Sequence, residues 1–104
     1  MGNIKSFSID WDTAALHQLE SILEHLERES AFAVKIVMHA ILHRVSKIEN
    51  TPFINEVDKL KTNNDGTYRA FVAYSYRVSY RVLYEKILVV ILRVRHTSRE
   101  PLEH

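Results

Sequence analysis

Arginine recurs at alternate positions in the last third of the chain. Arg77 and Arg81 stand on either side of Ser79, and Arg93 and Arg95 repeat the alternating spacing. Side chains two residues apart lie on the same face of a β-strand. Each run would therefore direct its guanidinium groups, which are planar forks suited to phosphate and carboxylate, to one side. Such a face could bind an RNA backbone, an acidic protein segment, or both.

A different interpretation of the same pattern is that arginines on strands form a solvated face that prevents aggregation. The residue types by themselves favour neither interpretation. A further basic residue, Arg69, shares a side of its own segment with Phe71. If the strands align, an arginine cluster with an aromatic ring would lie on one exposed face of the sheet.

The composition excludes several kinds of functional site. The chain has 104 residues, which corresponds to one domain, and we assign residues 1–101 to it. Residues 102–104 resemble the beginning of a cloning-derived histidine tag. There is no cysteine, which excludes a disulfide framework, a cysteine nucleophile and cysteine-based metal sites. His39 and His43 lie four residues apart, but no third ligand completes a site, so we expect neither metal nor cofactor.

The hydropathy pattern favours a protein that neither spans nor enters a membrane. The longest apolar run covers residues 87–92, far fewer than the roughly 20 residues that a membrane-spanning helix needs. The first residues lack the apolar core of a signal peptide. We therefore expect a cytoplasmic protein.

The net charge of +1 conceals an uneven distribution. Residues 1–66 carry seven basic and ten acidic side chains, a net charge of −3. Residues 67–101 carry seven basic and two acidic side chains, a net charge of +5, and six of the seven basic residues are arginine. The basic half of the chain is therefore the half with the alternating arginines.

Apolar spacing predicts one strand followed by two helices. Residues 6–11 alternate between apolar and polar side chains, which is typical of a half-buried strand. Asp12 or Thr13 would cap a first helix, and Ser30 would cap a second. Pro52 ends the helical region because the residue before proline avoids the α conformation. The two helices would form an antiparallel hairpin.

The rest of the chain has the pattern of strands and turns. Residues 53–61 form a polar connection, and residues 63–66, Asn-Asn-Asp-Gly, are a strong turn signal. We predict strands over residues 68–73, 76–84 and 87–95. The element order is then β-α-α-β-β-β, an α+β fold with a helical hairpin packed on one face of a small antiparallel sheet.

Alternation predicts which side chains face the helices. The helices should cover the apolar face that includes Val78, so Arg77 and Arg81 should point to the open sheet surface. Phe71 and Leu83 would be apolar and exposed on that surface, which suits burial by a partner. In the last strand, alternation assigns five positions to the core, namely Leu88, Val90, Leu92, Val94 and His96.

Two segments resemble the RelE/ParE toxin superfamily of type II toxin–antitoxin (plasmid stabilisation) modules. They are residues 76–82, YRVSYRV, and residues 92–101, LRVRHTSREP. The opening strand, the helical hairpin, Pro52 and Tyr68-Arg69-Ala70 extend the similarity over residues 6–101. The resemblance implies the same β-α-α-β-β-β fold, growth inhibition, and a small antitoxin that wraps the toxin and masks its working surface.

The superfamily divides by mechanism. RelE-like members are ribosome-dependent mRNA endonucleases that promote attack of a 2′-hydroxyl on the adjacent phosphate without a metal. By this resemblance Arg77 would stabilise the charge of the phosphorane, Arg69 would assist, and His96 would be a general acid or base. However, Phe71 lies where a nuclease often has a second basic residue, and no tyrosine follows His96 in the C-terminal segment.

ParE-like members poison DNA gyrase and are not nucleases. The segment 93–96, Arg-Val-Arg-His, is more similar to this branch, so we favour a ParE-like toxin. A RelE-like endonuclease acting on ribosome-bound mRNA is the alternative, and a non-toxic protein that only binds its antitoxin is a third hypothesis. The role of His96 is also open, because a histidine at a strand end commonly makes a structural hydrogen bond. The residues expected to bind the target or the antitoxin are Arg77, Arg81, Arg93, Arg95, Arg99 and Phe71.

Overall fold

The chain folds as a helical hairpin laid across one face of a five-stranded sheet. The computed structural model describes residues 6–99. The helices are α1 (Thr13–Glu29) and α2 (Ala31–Ile48), and the strands are β1 (Ser8–Trp11), β2 (Glu56–Val57), β3 (Tyr68–Ala73), β4 (Tyr76–Leu83) and β5 (Leu88–His96). Short 3₁₀ turns at Tyr84–Lys86 and Thr97–Arg99 precede and follow β5. The prediction of an α+β fold is confirmed.

The sheet is mixed, whereas the sequence pattern predicted an antiparallel one. Its strand order is β1-β5-β4-β3-β2. β1 runs parallel to β5, and the other neighbours are antiparallel. Parallel neighbours need a long connection. The helical hairpin and the three intervening strands supply it by returning the chain to the edge where it began.

Ser30 separates the two helices as predicted. Its backbone N–H donates to the carbonyl of Leu26, and its hydroxyl accepts a hydrogen bond of 3.3 Å from the backbone N–H of Ala33. One residue thus closes α1 and caps α2. Asp12 stands at the predicted N-terminal cap of α1, but its side chain makes no capping hydrogen bond.

The connection predicted over residues 53–61 contains a strand that the sequence pattern did not indicate. β2 is only two residues long, and it pairs Glu56 with Ala70 and Val57 with Arg69 of β3. Two residues are too few to show an alternation. The consequence is that this polar segment runs along the sheet edge.

The predicted turn at residues 63–66 is confirmed. The Asn64 side chain accepts a hydrogen bond of 2.8 Å from the backbone N–H of Gly66, and it donates one of 2.8 Å to the carbonyl of Tyr68. Gly66 has a positive φ of 95°, which glycine adopts without steric cost. The turn directs the chain from the edge strand back into β3.

The hydrophobic core lies between the helices and one face of the sheet. We call this the helix-covered face and the opposite one the helix-free face. Buried apolar side chains of the core include Ile41 and Ile48 of α2 and, from the sheet, Phe71, Val78, Tyr80, Val82, Val89, Ile91 and Val94. The predicted burial of the face that includes Val78 is confirmed, and Tyr80 and Val82 of the same strand are buried beside it.

A β-bulge at Leu92 changes the alternation in β5. Ser79 lies opposite Arg93, but the next residue, Tyr80, lies opposite Ile91. Leu92 is therefore an extra residue in β5. As a result Val89 and Ile91 are buried, together with Val94, and the prediction that Leu88, Val90 and Leu92 share the core face with Val94 is wrong.

Candidate functional site

The helix-free face carries four arginines, which we call the arginine face: Arg77, Arg81, Arg93 and Arg95. In the register of β4 and β5, Arg77 lies opposite Arg95 and Ser79 lies opposite Arg93. Side chains opposite each other project on the same face of a sheet. The predicted clustering of arginines from two strands is therefore present, and it brings like charges close together.

Arg77 is not freely available on this face because it pairs with a buried acid. Its Nη2 donates a hydrogen bond of 2.7 Å to the Oδ1 of Asp58, whose side chain is 0% exposed while that of Arg77 is 19% exposed. The same oxygen accepts a hydrogen bond of 3.0 Å from the backbone N–H of Leu60. The predicted open surface is thus covered at Arg77 by the segment that follows β2.

Arg81 is held against an aromatic ring. Its guanidinium carbon lies 4.7 Å from the centre of the Tyr68 ring, and the Nζ of Lys61 lies 4.7 Å from the same centre. Each contact is a cation–π interaction. Tyr68 therefore positions two positive charges on the helix-free face.

Arg93 and Arg95 border a shallow groove of about 420 Å³. The groove also contacts Tyr68, Leu92, Asp12, Ala14 and Gln18. The Nε of Arg95 is buried and has no hydrogen-bond partner within residues 6–99. Because a buried donor without a partner is costly, this atom is suited to an acceptor from outside the described part of the chain.

Arg69 lies on the other side of the sheet from the arginine face. It is opposite Tyr80, whose side chain belongs to the core. Its Nε donates to the carbonyl of Gly66 at 2.9 Å, and its Nη1 donates to the carbonyl of Asn55 at 3.0 Å. These bonds tie Arg69 to the segment around β2.

Phe71 is only 4% exposed, so the prediction that it lies on the open surface is wrong. It stands opposite Val78, on the helix-covered face, where the Arg44 guanidinium of α2 lies 4.6 Å from its ring centre. Alternation did place Arg69 and Phe71 on one side. The error lay in assigning that side to the same face as Arg77. Leu83 is half-buried rather than exposed.

His96 is exposed at the end of β5 and makes a local hydrogen bond. Its Nδ1 accepts a bond of 3.0 Å from the backbone N–H of Ser98, and its ring meets the Tyr76 ring edge-on at a centre-to-centre distance of 5.4 Å. A neutral imidazole whose Nδ1 accepts carries its proton on Nε2. In this arrangement the Nε2–H of His96 can donate a hydrogen bond, while its Nδ1 is engaged by Ser98.

The three residues of the predicted nuclease set are not brought together. Arg77 lies on the helix-free face, and Arg69 and His96 lie on the other. Arg69 is opposite Tyr80 and His96 is opposite Tyr76. At the usual rise and strand spacing, their Cα atoms are about 16 Å apart.

Arg99 belongs to the predicted binding set, whereas Asp58 does not. Arg99 ends the last 3₁₀ turn, and its side chain lies outside the described part of the structure. Asp58 was missed by sequence reasoning. A single aspartate in a polar connection carries no signal of its burial, and only the position of β2 brings it to Arg77.

Within residues 6–99 no three His, Asp or Glu side chains converge as metal ligands would. No helix in this part of the chain has the length and hydropathy needed to cross a membrane. The arrangement offers guanidinium groups on one face of the sheet, two of which are fixed by Asp58 and by Tyr68. Such an arrangement can bind an anionic surface.

A family model described as the ParE toxin of the type II toxin–antitoxin system parDE matches residues 9–101. A search of curated proteins finds no match.

Solved structures of similar fold come from both branches of toxins. A doubly arginine-substituted E. coli RelE toxin in the free state has a TM-score of 0.63 and 18% identity, over 88% of this chain and 83% of that chain. The chromosomal ParDE toxin–antitoxin system of P. aeruginosa has a TM-score of 0.63 and 16% identity, over 88% of this chain and 96% of that one. The intact E. coli RelBE complex has a TM-score of 0.55 and 18% identity, over 88% and 96%. At such identities these similarities establish the fold.

Proposed function

The chain belongs to the ParE toxin family of type II toxin–antitoxin systems, and from this premise we propose that it poisons DNA gyrase by binding it, without cleaving RNA. The observation that carries the proposal is the separation of Arg77, Arg69 and His96. A nuclease would need such groups to converge on one phosphate. Each of them is instead held by a different part of the fold.

The contacts that Arg77, Arg69 and His96 make within the fold support a binding role over a catalytic one. Arg77 is paired with the buried carboxylate of Asp58, which offsets the charge that would stabilise a phosphorane. Arg69 is engaged by two backbone carbonyls. The Nδ1 of His96 is occupied by the backbone N–H of Ser98. Moving any of them to a common phosphate would break these bonds.

The arginine face supplies the surface for a protein target. Arginine is enriched at protein interfaces because its fork pairs with carboxylates and its plane packs on apolar groups. Recognition of single-stranded RNA usually adds stacking on free aromatic rings. The aromatic ring on this face, Tyr68, already carries Arg81 and Lys61. We therefore infer an acidic protein surface as the partner of this face.

The test measures two activities of the purified protein side by side. We expect inhibition of gyrase supercoiling and stabilisation of the cleaved DNA complex, with no new mRNA ends by primer extension in a translating extract. Ribosome-dependent cuts with normal supercoiling would overturn the proposal in favour of the RelE-like alternative. If growth continues after the toxin is induced without antitoxin, the protein is a non-toxic, antitoxin-binding remnant in that host.

Matched variants locate the binding surface. Arg93→Ala removes one charge from the arginine face, and Lys35→Ala removes one from an exposed position of α2 on the other side of the molecule. We expect gyrase inhibition to weaken about tenfold in the first variant and to be unchanged in the second. Equal inhibition by both would exclude the arginine face as the gyrase-binding surface.

A further inference from the structure

Two exposed imidazoles lie side by side near the middle of α2. His39 and His43 are about one helical turn apart, and their rings are parallel to within 9° with centres 5.9 Å apart. Both residues are exposed to solvent. Within residues 6–99, neither imidazole has a hydrogen-bond or ionic partner. Apart from their contact with each other, nothing in this part of the chain engages the two rings.

This spacing suits the coordination of a zinc ion. Histidines at positions i and i+4 project from the same face of a helix, and helical zinc sites place two histidines at this spacing. An imidazole nitrogen binds zinc at about 2.0–2.1 Å. The two rings must therefore turn towards one ion, which exposed side chains can do by changing rotamer. Two imidazoles fill half of the four positions that a closed zinc site needs.

The described part of one chain supplies only these two ligands. Helix α2 contains no aspartate or glutamate, and no three His, Asp or Glu side chains converge within residues 6–99. This agrees with the expectation from the sequence that no third ligand accompanies the pair. A second copy of the chain would supply the missing half, because a two-fold axis between the helices presents His39 of each copy to His43 of the other.

The surface beside the two histidines is apolar, which favours a second helix as its occupant. A shallow groove of about 480 Å³ runs between the histidines and the side chains of Val34, Met38 and Leu42. Met38 is 37% exposed and Leu42 is 45% exposed, so their contact with another apolar surface would remove area from water. Since the histidines lie near the middle of α2, two α2 helices that cross at the ion would also bring these apolar side chains together.

We propose that one zinc ion joins two copies of this chain through His39 and His43 of each copy, with the two α2 helices packed across a two-fold axis. The remaining side chain that lines the groove, Lys35, is positively charged, and α2 has no acid to offset it. Like charges therefore oppose the pairing of the bare helices, and the dimer depends on the metal. The proposal goes beyond the proposed function and concerns the helical layer, on the other side of the sheet from the arginine face.

The first experiment measures the mass of the untagged full-length chain by sedimentation as zinc is added. A histidine tag is left out because it would bind zinc itself. We expect a monomer in the presence of a chelator and a dimer whose formation is complete at one zinc ion per two chains. A dimer that persists in the chelator, a zinc-loaded monomer, or a chain that binds no zinc would each overturn the proposal.

The second experiment removes the ligands one residue at a time. His39→Ala and His43→Ala each delete two of the four imidazoles of the dimer, so each should abolish zinc-dependent dimerisation. Thermal unfolding in the chelator should be unchanged, because both positions are exposed. His17→Ala removes an exposed imidazole from α1 and should dimerise as the parent protein does. Dimerisation of either α2 variant, or its loss in His17→Ala, would contradict the assignment of the zinc to α2.

Cobalt in place of zinc gives a spectroscopic readout of the ligands. Four-coordinate Co²⁺ absorbs visible light much more strongly than the six-coordinate hydrated ion. The visible absorption of Co²⁺ should therefore rise as the parent protein dimerises and stay weak with His43→Ala. A Co²⁺-loaded dimer that keeps the weak spectrum of the hydrated ion would exclude coordination by four imidazoles.

A last pair of variants tests the helix packing without touching a ligand. Leu42→Ala should weaken the zinc-loaded dimer about tenfold, because apolar contact area is lost from both copies. Leu16→Ala, at a position of α1 that is 43% exposed, should leave the dimer unchanged. Equal dissociation constants for the two variants would place the interface away from α2. The supercoiling assay needs no added zinc, so its outcome and the outcomes of these experiments can differ.

Discussion

Asp58 is the residue that most constrains the chemistry of the arginine face. Its carboxylate is 0% exposed, and it holds an arginine that is 19% exposed. Breaking such a pair from one side leaves an uncompensated buried charge. Asp58→Ala is therefore expected to lower the free energy of unfolding by about 3 kcal/mol, measured by urea denaturation. Asp10→Ala, at an exposed position of β1, should change it by less than about 0.5 kcal/mol.

A double-variant cycle distinguishes the ion pair from a general loss of packing. Removing Arg77 and Asp58 together leaves neither charge unpaired, so Asp58→Ala with Arg77→Ala should cost less than the sum of the single changes. Additive losses would mean that the two side chains stabilise the fold independently. The cycle also bears on toxicity, since an inactive Arg77→Ala protein is informative only when its folding is known.

Tyr80 anchors the segment before β2 through a buried hydroxyl. The hydroxyl donates a hydrogen bond of 2.8 Å to the carbonyl of Pro52 and accepts one of 3.2 Å from the Nδ2 of Asn55. Burial raises the pKa of this hydroxyl above its ordinary value of 10.0, although the bond from Asn55 opposes the shift. The folded state thus holds the proton more tightly than the unfolded state.

The direction of the pH effect follows from this difference. Below about pH 10 the hydroxyl is protonated in both states and its contribution to stability is complete; above that, the unfolded state ionises first and stability falls. Tyr80→Phe should cost about 1–3 kcal/mol at neutral pH and make the fall above pH 10 shallower. Tyr74→Phe, at a position that is 65% exposed, is the control and should change stability at neutral pH by less than about 0.5 kcal/mol. Urea denaturation between pH 7 and 11 measures the stability cost of Tyr80→Phe and the dependence of stability on pH. If stability falls as steeply above pH 10 in Tyr80→Phe as in the parent protein, the buried Tyr80 hydroxyl is not the group responsible.

At the scale of elements, the bulge in β5 determines whether Val89 or the adjacent Val90 belongs to the core. Val89 is 0% exposed, and the adjacent Val90 is half-buried opposite Arg81. Because the same valine-to-alanine change is made at both positions, the difference in stability reports the difference in burial. Val89→Ala should cost about 2–3 kcal/mol, and Val90→Ala less than about 1 kcal/mol. A larger loss at Val90 would mean that β5 keeps a single alternation without the bulge.

The elements with long repeating patterns could be predicted from the sequence, and the short or interrupted ones could not. The apolar stripes of α1 and α2, the cap at Ser30 and the alternation of β4 all rest on many residues. β2 has only two residues, and the bulge at Leu92 inserts one residue into a run that is apolar throughout, where alternation leaves no trace. Both are set by pairing with other strands.

The same distinction, between patterns within one strand and contacts between strands, explains which features of the candidate site could be predicted. The sharing of a face by Arg77 and Arg81 follows from alternation within one strand, and it is present. The placement of Arg69 and Phe71 relative to Arg77 depends on the register between β3 and β4, which no local pattern encodes. The partnership of Asp58 and Arg77 joins residues 19 positions apart. Contacts between distant segments were therefore the part that sequence reasoning missed.

At the scale of the whole molecule, the division of charge along the chain becomes a division between layers. Residues 67–101 have a net charge of +5, whereas residues 1–66, which include both helices, have a net charge of −3. Four arginines of the sheet, namely Arg77, Arg81, Arg93 and Arg95, project from the helix-free face, whereas Arg69 projects from the helix-covered face. The molecule thus has a charge dipole that can orient it as it approaches an acidic partner.

A charge dipole that orients the molecule as it approaches gyrase, its proposed target, should make the rate of association with gyrase depend on the salt concentration. Raising the ionic strength from about 0.05 to 0.3 M shortens the screening length and should lower the association rate constant about tenfold, with a smaller change in the dissociation rate. Arg93→Glu should lower the rate at low salt and flatten its salt dependence. Lys35→Glu, the same charge change on α2, should preserve the salt dependence because it lies in the helical layer. Surface plasmon resonance with immobilised gyrase measures both rate constants. Identical salt slopes for the two variants would mean that net charge, and not the arginine face, governs the encounter.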